Sequence, residues 1–213
     1  MDDLTADLTS AADWPAGRVL VVMATFNERD NVCPLIEAIL AADDRVQVLV
    51  VDDDSPDGTG QLALDTAARH RRAHVLIRRG RKGLGSAILE GFEIAAARGF
   101  AIAFNMDADF SHDPADLPRL MAALEPIGGK PLDLVIGSRR VRGGRVVGCM
   151  WYNRSACGLA VDNGRNSRLR VLRGISWGLS GCGPSLCCRQ ELAVRIGRNP
   201  VQHPGKAPIQ STP

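Results

Sequence analysis

Strand-sized apolar runs and helical patterns alternate along the first 138 residues, and this alternation restricts the fold more than any other feature. Residues 18–24, 46–51, 74–77, 101–104 and 132–136 are short, apolar and bounded by turn residues, as strands are. Helical patterns occupy the gaps at about 31–42, 59–72, 84–98 and 114–124. Short connections between such elements predict an α/β fold, a doubly wound and mostly parallel sheet with helices on both faces. Ligands of these sheets bind beyond the carboxyl ends of the strands. A site is therefore expected among the polar clusters 25–30, 52–59, 78–85, 107–113 and 137–144.

At 213 residues, 45% of them hydrophobic, the chain can form one sizeable domain with a buried core. No stretch approaches the ~20 apolar residues needed to span a bilayer. The acidic start Met1-Asp2-Asp3-Leu4 lacks the charged-then-apolar pattern of a secretory signal, so a cytoplasmic location is expected. The net charge of +2 conceals an asymmetry: residues 1–138 hold 13 Lys and Arg against 22 Asp and Glu, and residues 139–213 hold 13 against 2. Cys149, Cys157, Cys182, Cys187 and Cys188 also fall in that second part. None forms a Cys-x-x-Cys pair, and His70, His74, His112 and His203 offer no zinc-like spacing. Free thiols in a reducing compartment are expected. Beyond about residue 145 the regularity fails. Segments 159–161 and 169–175 could form short elements, but the stretch shows no sustained period of 2 or 3.6.

Two acidic clusters carry the chemistry. The first is Asn105-Met106-Asp107-Ala108-Asp109-Phe110-Ser111-His112-Asp113-Pro114. If 101–106 is a strand, its two-residue period puts Asp107 and Asp109 on one face as the strand ends. Carboxylates so placed suit a hard divalent cation that also grips a diphosphate. Turn and cap chemistry competes for the same residues, because Ser111 or Asp113 before Pro114 would open a helix well. The second cluster is Asp52-Asp53-Asp54-Ser55-Pro56-Asp57-Gly58-Thr59, where the second strand becomes the second helix. Acidic side chains cannot cradle phosphate, but they accept hydrogen bonds from a base or from ribose hydroxyls. Turn and cap roles are expected for Ser55 to Thr59, and ligand contact for Asp53. Arg78, Arg79, Arg81 and Lys82 precede Gly83-Leu84-Gly85 and could draw in a phosphate. A solvated loop is favoured for Arg78 and Arg79; Lys82 and Gly83 are left open.

In one order stand Ala24-Thr25-Phe26-Asn27-Glu28, the 52–59 run, Lys82-Gly83-Leu84-Gly85, Asp107-Ala108-Asp109-Phe110-Ser111-His112 and Gly137-Ser138-Arg139. With these motifs, residues 18–148 resemble the dolichol- and polyprenol-phosphate mannosyltransferases, inverting glycosyltransferases of GT-A fold. Each motif alone is weak, but five in register are specific. The resemblance implies a GT-A (Rossmann-like) catalytic domain over 18–148, an N-terminal extension over 1–17 and a divergent, irregular segment over 149–213. It implies a nucleotide-sugar donor, usually GDP-mannose, a polyprenyl or dolichyl phosphate acceptor, and Mg²⁺ or Mn²⁺. Peripheral attachment at the cytoplasmic face of a membrane goes with the lipid acceptor, and no nucleic-acid partner is expected.

Carried over position by position, Ala24, Phe26, Glu28, Val51 and Asp53 would line the nucleotide pocket. Asp107, Ala108 and Asp109 would hold ribose, metal and diphosphate, with Asp107 and Asp109 as the metal ligands. Arg139 would reach the donor's phosphates, and Asp109 and Arg139 take the catalytic roles. The family usually has Pro at the position of Ala24 and Tyr at that of Phe26. Losing the hydroxyl removes a polar contact but keeps an aromatic face for stacking. A larger departure follows residue 148, where the family continues with amphipathic helices and an Asp-x-(Ser/Thr)-Gly-x-Phe-Arg segment. Only Ser180-Gly181, followed by Arg189-Gln190-Glu191-Leu192, faintly matches it. A shifted reading frame or a degenerate terminus would produce this change. The functional alternative is a basic flap on anionic lipid, at roughly 1 kcal/mol per basic residue near the surface. Two rival activities stay open: a UDP-sugar-dependent transferase and a non-catalytic nucleotide-sugar-binding remnant.

Overall fold

The computed structural model describes residues 19–80, 82–124, 132 and 134–137, with the backbone of short strands at 7–8, 169–172 and 192–195. The elements run β1 (Asp7–Leu8), β2 (Val19–Thr25), α1 (Arg29–Ala42), β3 (Val46–Asp52), α2 (Thr59–Ala67), β4 (Ala73–Ile77), α3 (Leu84–Ala97) and β5 (Ile102–Asn105). A single 3₁₀ turn (Pro114–Asp116), α4 (Leu117–Ala123), β6 (Leu134–Gly137), β7 (Leu169–Leu172) and β8 (Leu192–Arg195) follow. All five strands expected from the apolar runs form, within two residues of their expected bounds. Two helices are shorter than their periodicity predicts. After α2, Arg69 and His70 donate to the carbonyls of Thr66 and Ala67, a tighter turn that ends the helix. Over 114–124, the Asp113 carboxylate accepts from the Ala115 amide at 2.9 Å and Pro114 takes the first position, so the segment opens as a 3₁₀ turn.

One sheet contains all eight strands in the order β1-β4-β3-β2-β5-β8-β6-β7. β2 pairs in parallel with both β3 and β5, and β3 with β4, so four carboxyl ends share one edge. The segment after residue 148 contributes two strands. β7 lies parallel to β6, and β8 inserts antiparallel between β5 and β6. Alternate residues of β2 feed two apolar clusters. Val19, Val21 and Met23 join the larger one beneath α1, α2 and α4, and Leu20 and Val22 join the smaller one beneath α3. Both faces are thus covered, as near-continuous apolar strands require. Among the described residues no helix is long and apolar enough to cross a membrane.

α3 comes close to the sheet at Gly91. A Cβ there would run into Cγ1 of Val22 and stand 3.0 Å from its Cγ2. Val22 is β-branched and fully buried, so it has no free rotamer to escape into. Gly91→Ala is expected to lower stability by about 1–2 kcal/mol, overpacking outweighing alanine's better helix propensity. Urea denaturation measures this; a variant as stable as the parent would show that α3 can shift outward freely.

Candidate active site

The chain winds from β2 through β3 to β4 on one side and then returns to β5 on the other. A crevice is therefore expected between the carboxyl ends of β2 and β5, the topological switch point. The first loop at this edge follows β2. Ala24 is half-buried near the end of the strand, Phe26 is 45% exposed, and Glu28 is partly buried where α1 begins. This loop is sewn to the loop after β3. The amides of Asn27, Glu28 and Arg29 donate to Ser55 Oγ (3.0 Å), Thr59 Oγ1 (2.9 Å) and Asp57 Oδ2 (3.2 Å). Ser55 to Thr59 are thus structural, as expected, but they tie two loops together; the N-cap of α2 is Gly58, with no side-chain cap bond. Burial works to raise the Asp57 pKa, but hydrogen bonds from the hydroxyl and amide of Thr59 and the amide of Arg29 outweigh it and hold it low. Asp52 is equally structural: fully buried, it accepts from Thr25 Oγ1 at 2.8 Å and Ser55 Oγ at 2.7 Å.

Asp53 is buried at the mouth of the same edge. The neighbouring Arg78 corrects an expectation. Rather than standing in a solvated loop, its side chain is 1% exposed, with Nε 2.7 Å and Nη2 2.6 Å from Asp53 Oδ1. The Gly83 amide donates to the other carboxylate oxygen, Oδ2, at 2.7 Å. The available signal was positional: Arg78 directly follows the apolar run of β4, beside the acidic end of β3. Arg79 is exposed, as expected, and Arg81 lies outside the described residues. Lys82 places Nζ 4.8 Å from the centroid of the Phe26 ring, within reach of a cation–π contact. Val51 is fully buried in the smaller apolar cluster, its side chain enclosed on the α3 side.

The loop after β5 holds the other acidic pair, by a different geometry from the one the strand period implies. β5 ends at Asn105, and Asp109 lies in a turn rather than on a continuing strand. The chain must leave the ladder here because the Asp109 carboxylate accepts from the Ser111 amide at 2.9 Å and Phe110 takes φ 56°. Asp107 and Ala108 are buried, and Asp109 is half-buried. The amide of Asp107 donates to Nδ1 of the fully buried His112 at 3.1 Å. With Nδ1 accepting, a neutral His112 carries its proton on Nε2, which lies 3.8 Å from Asp107 Oδ2. The Ser111 hydroxyl is buried with no hydrogen-bond partner among the described residues.

Asn27, Asp54 and Phe110 are the non-glycine residues with positive φ among those described, one in each of the loops after β2, β3 and β5. Backbone conformations of this kind cost energy and gather at functional sites. Among the described residues no group of three His, Cys, Asp or Glu side chains could hold a metal ion unaided. The loop offers two carboxylates and the buried Ser111 hydroxyl, with His112 Nε2 beside Asp107. Arg139 lies outside the described residues, as do the five cysteines beyond residue 148. The thiol of Cys33 is free.

A polyprenol monophosphomannose synthase of Mycolicibacterium smegmatis is 41% identical over 162 residues, which cover 76% of this chain and 58% of that protein. An undecaprenyl-phosphate mannosyltransferase of Micrococcus luteus is 45% identical over 130 residues, covering 61% of this chain and 51% of that one. The chain spans about half the length of the curated relatives it matches. A solved mannosyltransferase of Pyrobaculum calidifontis, in complex with GDP-Man and Mn²⁺, is 25% identical. That match covers 55% of this chain and 34% of that one, with a TM-score of 0.45. The family model of glycosyl transferase family 2 matches residues 20–190, through both acidic loops and past the limit of the recognisable motifs; the chain belongs to that family.

Proposed function

We propose that the chain transfers a hexose, foremost mannose from GDP-mannose, to a polyprenyl phosphate, with inversion at the anomeric carbon. The observation that carries this reading is the placement of the Phe26 loop, Asp53 and the Asp107–Asp109 turn along one carboxyl edge around the switch point. The names of the two bacterial relatives support the lipid phosphate as acceptor. In this reading Phe26 stacks on the base and Asp53 accepts from its N–H groups. Asp107 and Asp109 would hold the divalent cation, Mg²⁺ or Mn²⁺, and Arg139 would meet the donor's phosphates. Carboxylate oxygens fit a hard cation, which would also take oxygens of the donor's diphosphate. When bound, the cation stabilises the departing nucleoside diphosphate.

No catalytic base is required of the chain. The acceptor is a phosphate monoester with a second pKa of about 6, so it arrives as an oxyanion at neutral pH. The protein's part is to hold that oxygen in line with the anomeric carbon and to keep water out. Work on a lipid acceptor puts the protein at a membrane surface, and we assign it to the cytoplasmic face.

Labelled GDP-mannose incubated with polyprenyl phosphate and Mn²⁺ should yield lipid-linked mannose, and UDP-glucose should not. Turnover with UDP-glucose alone would reassign the donor, and donor binding without any transfer would leave a nucleotide-sugar-binding remnant. Asp109→Asn should weaken metal-dependent GDP-mannose binding by about 1–3 kcal/mol, the loss of a charged partner. Calorimetry with and without Mn²⁺ checks this, and undiminished binding removes Asp109 from the site.

A further inference from the structure

We propose that Arg78 is a positioning residue for nucleoside recognition, fixing the Asp53 carboxylate and locking it to the loop that carries Lys82 over Phe26. This inference rests on the nucleotide-sugar reading above. The Arg78 guanidinium joins three parts of the fold. Nε and Nη2 hold Asp53 Oδ1 at the end of β3, at 2.7 and 2.6 Å. Nη2 also donates to the Gly83 carbonyl at 3.2 Å, in the loop before α3. Nη1 reaches Ser86 Oγ at 3.1 Å and Glu90 Oε2 at 3.3 Å, both on α3. Two further bonds close the circuit: the Gly83 amide donates to Asp53 Oδ2 at 2.7 Å, and Ser86 Oγ donates to the Gly83 carbonyl at 2.8 Å.

Burying an ion pair stabilises little compared with packing apolar side chains into the same volume, because both charges lose their hydration. Stability alone therefore does not account for an Arg–Asp pair at this edge. Its geometric effect does. With Oδ1 occupied by two guanidinium N–H groups, the carboxylate has one orientation, and Oδ2 carries the acceptor capacity left for a ligand. The same guanidinium, through Gly83, sets the position of the adjoining Lys82, whose Nζ lies over the Phe26 ring. A hydrogen-bonding acceptor and a stacking face are thereby held at one spacing. A groove of about 460 Å³ opens beside the network, lined by Arg78, Lys82, Ser86, Leu89, Glu90 and Glu93, which gives the loop room to move if Arg78 releases it.

The test is calorimetry on the full chain with three probes: guanosine, GDP with Mn²⁺, and pyrophosphate with Mn²⁺. Arg78→Lys keeps a cation but loses the planar fork that grips Oδ1 twice. Guanosine and GDP should bind about tenfold more weakly to it, while pyrophosphate with Mn²⁺ binds as to the parent. Ser86→Ala removes a partner of both Arg78 and Gly83 without stranding a charge, and should weaken guanosine binding about two- to fivefold. It carries the test if Arg78→Lys does not fold. Ile39→Val, which lowers stability from α1 on the opposite face of the sheet, should bind all three probes like the parent. Unchanged guanosine binding in the folded network variants overturns the proposal, as does an equal loss on all three probes. If the parent binds no nucleoside diphosphate, the nucleotide-sugar reading fails and this inference falls with it.

Discussion

Asp53→Ala is expected to cost about 3–5 kcal/mol of folding stability, apart from any effect on nucleoside binding. Removing the carboxylate leaves the Arg78 guanidinium buried, with the partly exposed Glu90 carboxylate at 3.3 Å left to face it. It also strips the Gly83 amide of its acceptor. A charge buried without its partner costs far more than the pair contributes, because desolvation is no longer offset. Replacing both residues with apolar ones of similar size should restore most of the loss. Urea denaturation of Asp53→Ala and of the double variant Asp53→Val with Arg78→Leu provides the comparison. A loss under about 1 kcal/mol in the single variant would falsify the buried-pair account. The practical consequence is that Asp53→Ala cannot by itself report on base recognition. A fall in affinity has to be measured below the variant's unfolding transition, or with Asp53→Asn.

The parallel sheet was legible because its strands are continuous apolar runs that turn residues cut to length, and β2 to β5 follow that pattern. The turn after β3 was legible for a local reason, since Pro56-Asp57-Gly58 is turn chemistry wherever it occurs, but its bonds to the loop after β2 were not. Arg78 was not legible, because its role depends on a residue 25 positions away and on burial that no local pattern reports. Four basic residues around a Gly-rich loop look like a solvated patch until the sheet register sets β4 beside β3. Of the two readings left open at Asp109, the turn prevails over the strand period because the aspartate side chain offers the backbone a competing bond. β7 falls within the 169–175 segment that could form an element. β8 gave no sign, since four residues inserted antiparallel between two parallel strands are defined by their neighbours rather than by periodicity. That insertion matters for the candidate site: β8 links β6, which leads into Gly137-Ser138-Arg139, to β5, which leads into Asp107 and Asp109.

Lowering the pH from 7 to about 4 is expected to draw down stability by about 3 kcal/mol through His74 alone. Burial, and secondarily the positive charge of Arg98, lower its pKa from 6.5 to about 4. Its Nε2 stands 2.8 Å from Gln47 Oε1, a hydrogen bond that a neutral ring makes from an Nε2–H. The unfolded chain takes up a proton on this histidine as the pH falls below 6.5, while the folded chain refuses it until about 4. Across that window the unfolded state binds more protons, so stability decreases on acidification and is fully present above 6.5. Asp43, held at about 2 chiefly by hydrogen bonds from the Arg45 side chain, loses its own contribution mainly between its ordinary value of 3.8 and about 2, so it adds little above pH 4. His74→Val leaves Gln47 short of a partner and should start lower at pH 7 by about 1–3 kcal/mol. It should nevertheless be the flatter of the two between pH 6.5 and 4.5. Denaturant midpoints taken at half-unit steps for both chains read the slopes directly. Parallel slopes would place the acid sensitivity of this fold in groups other than His74.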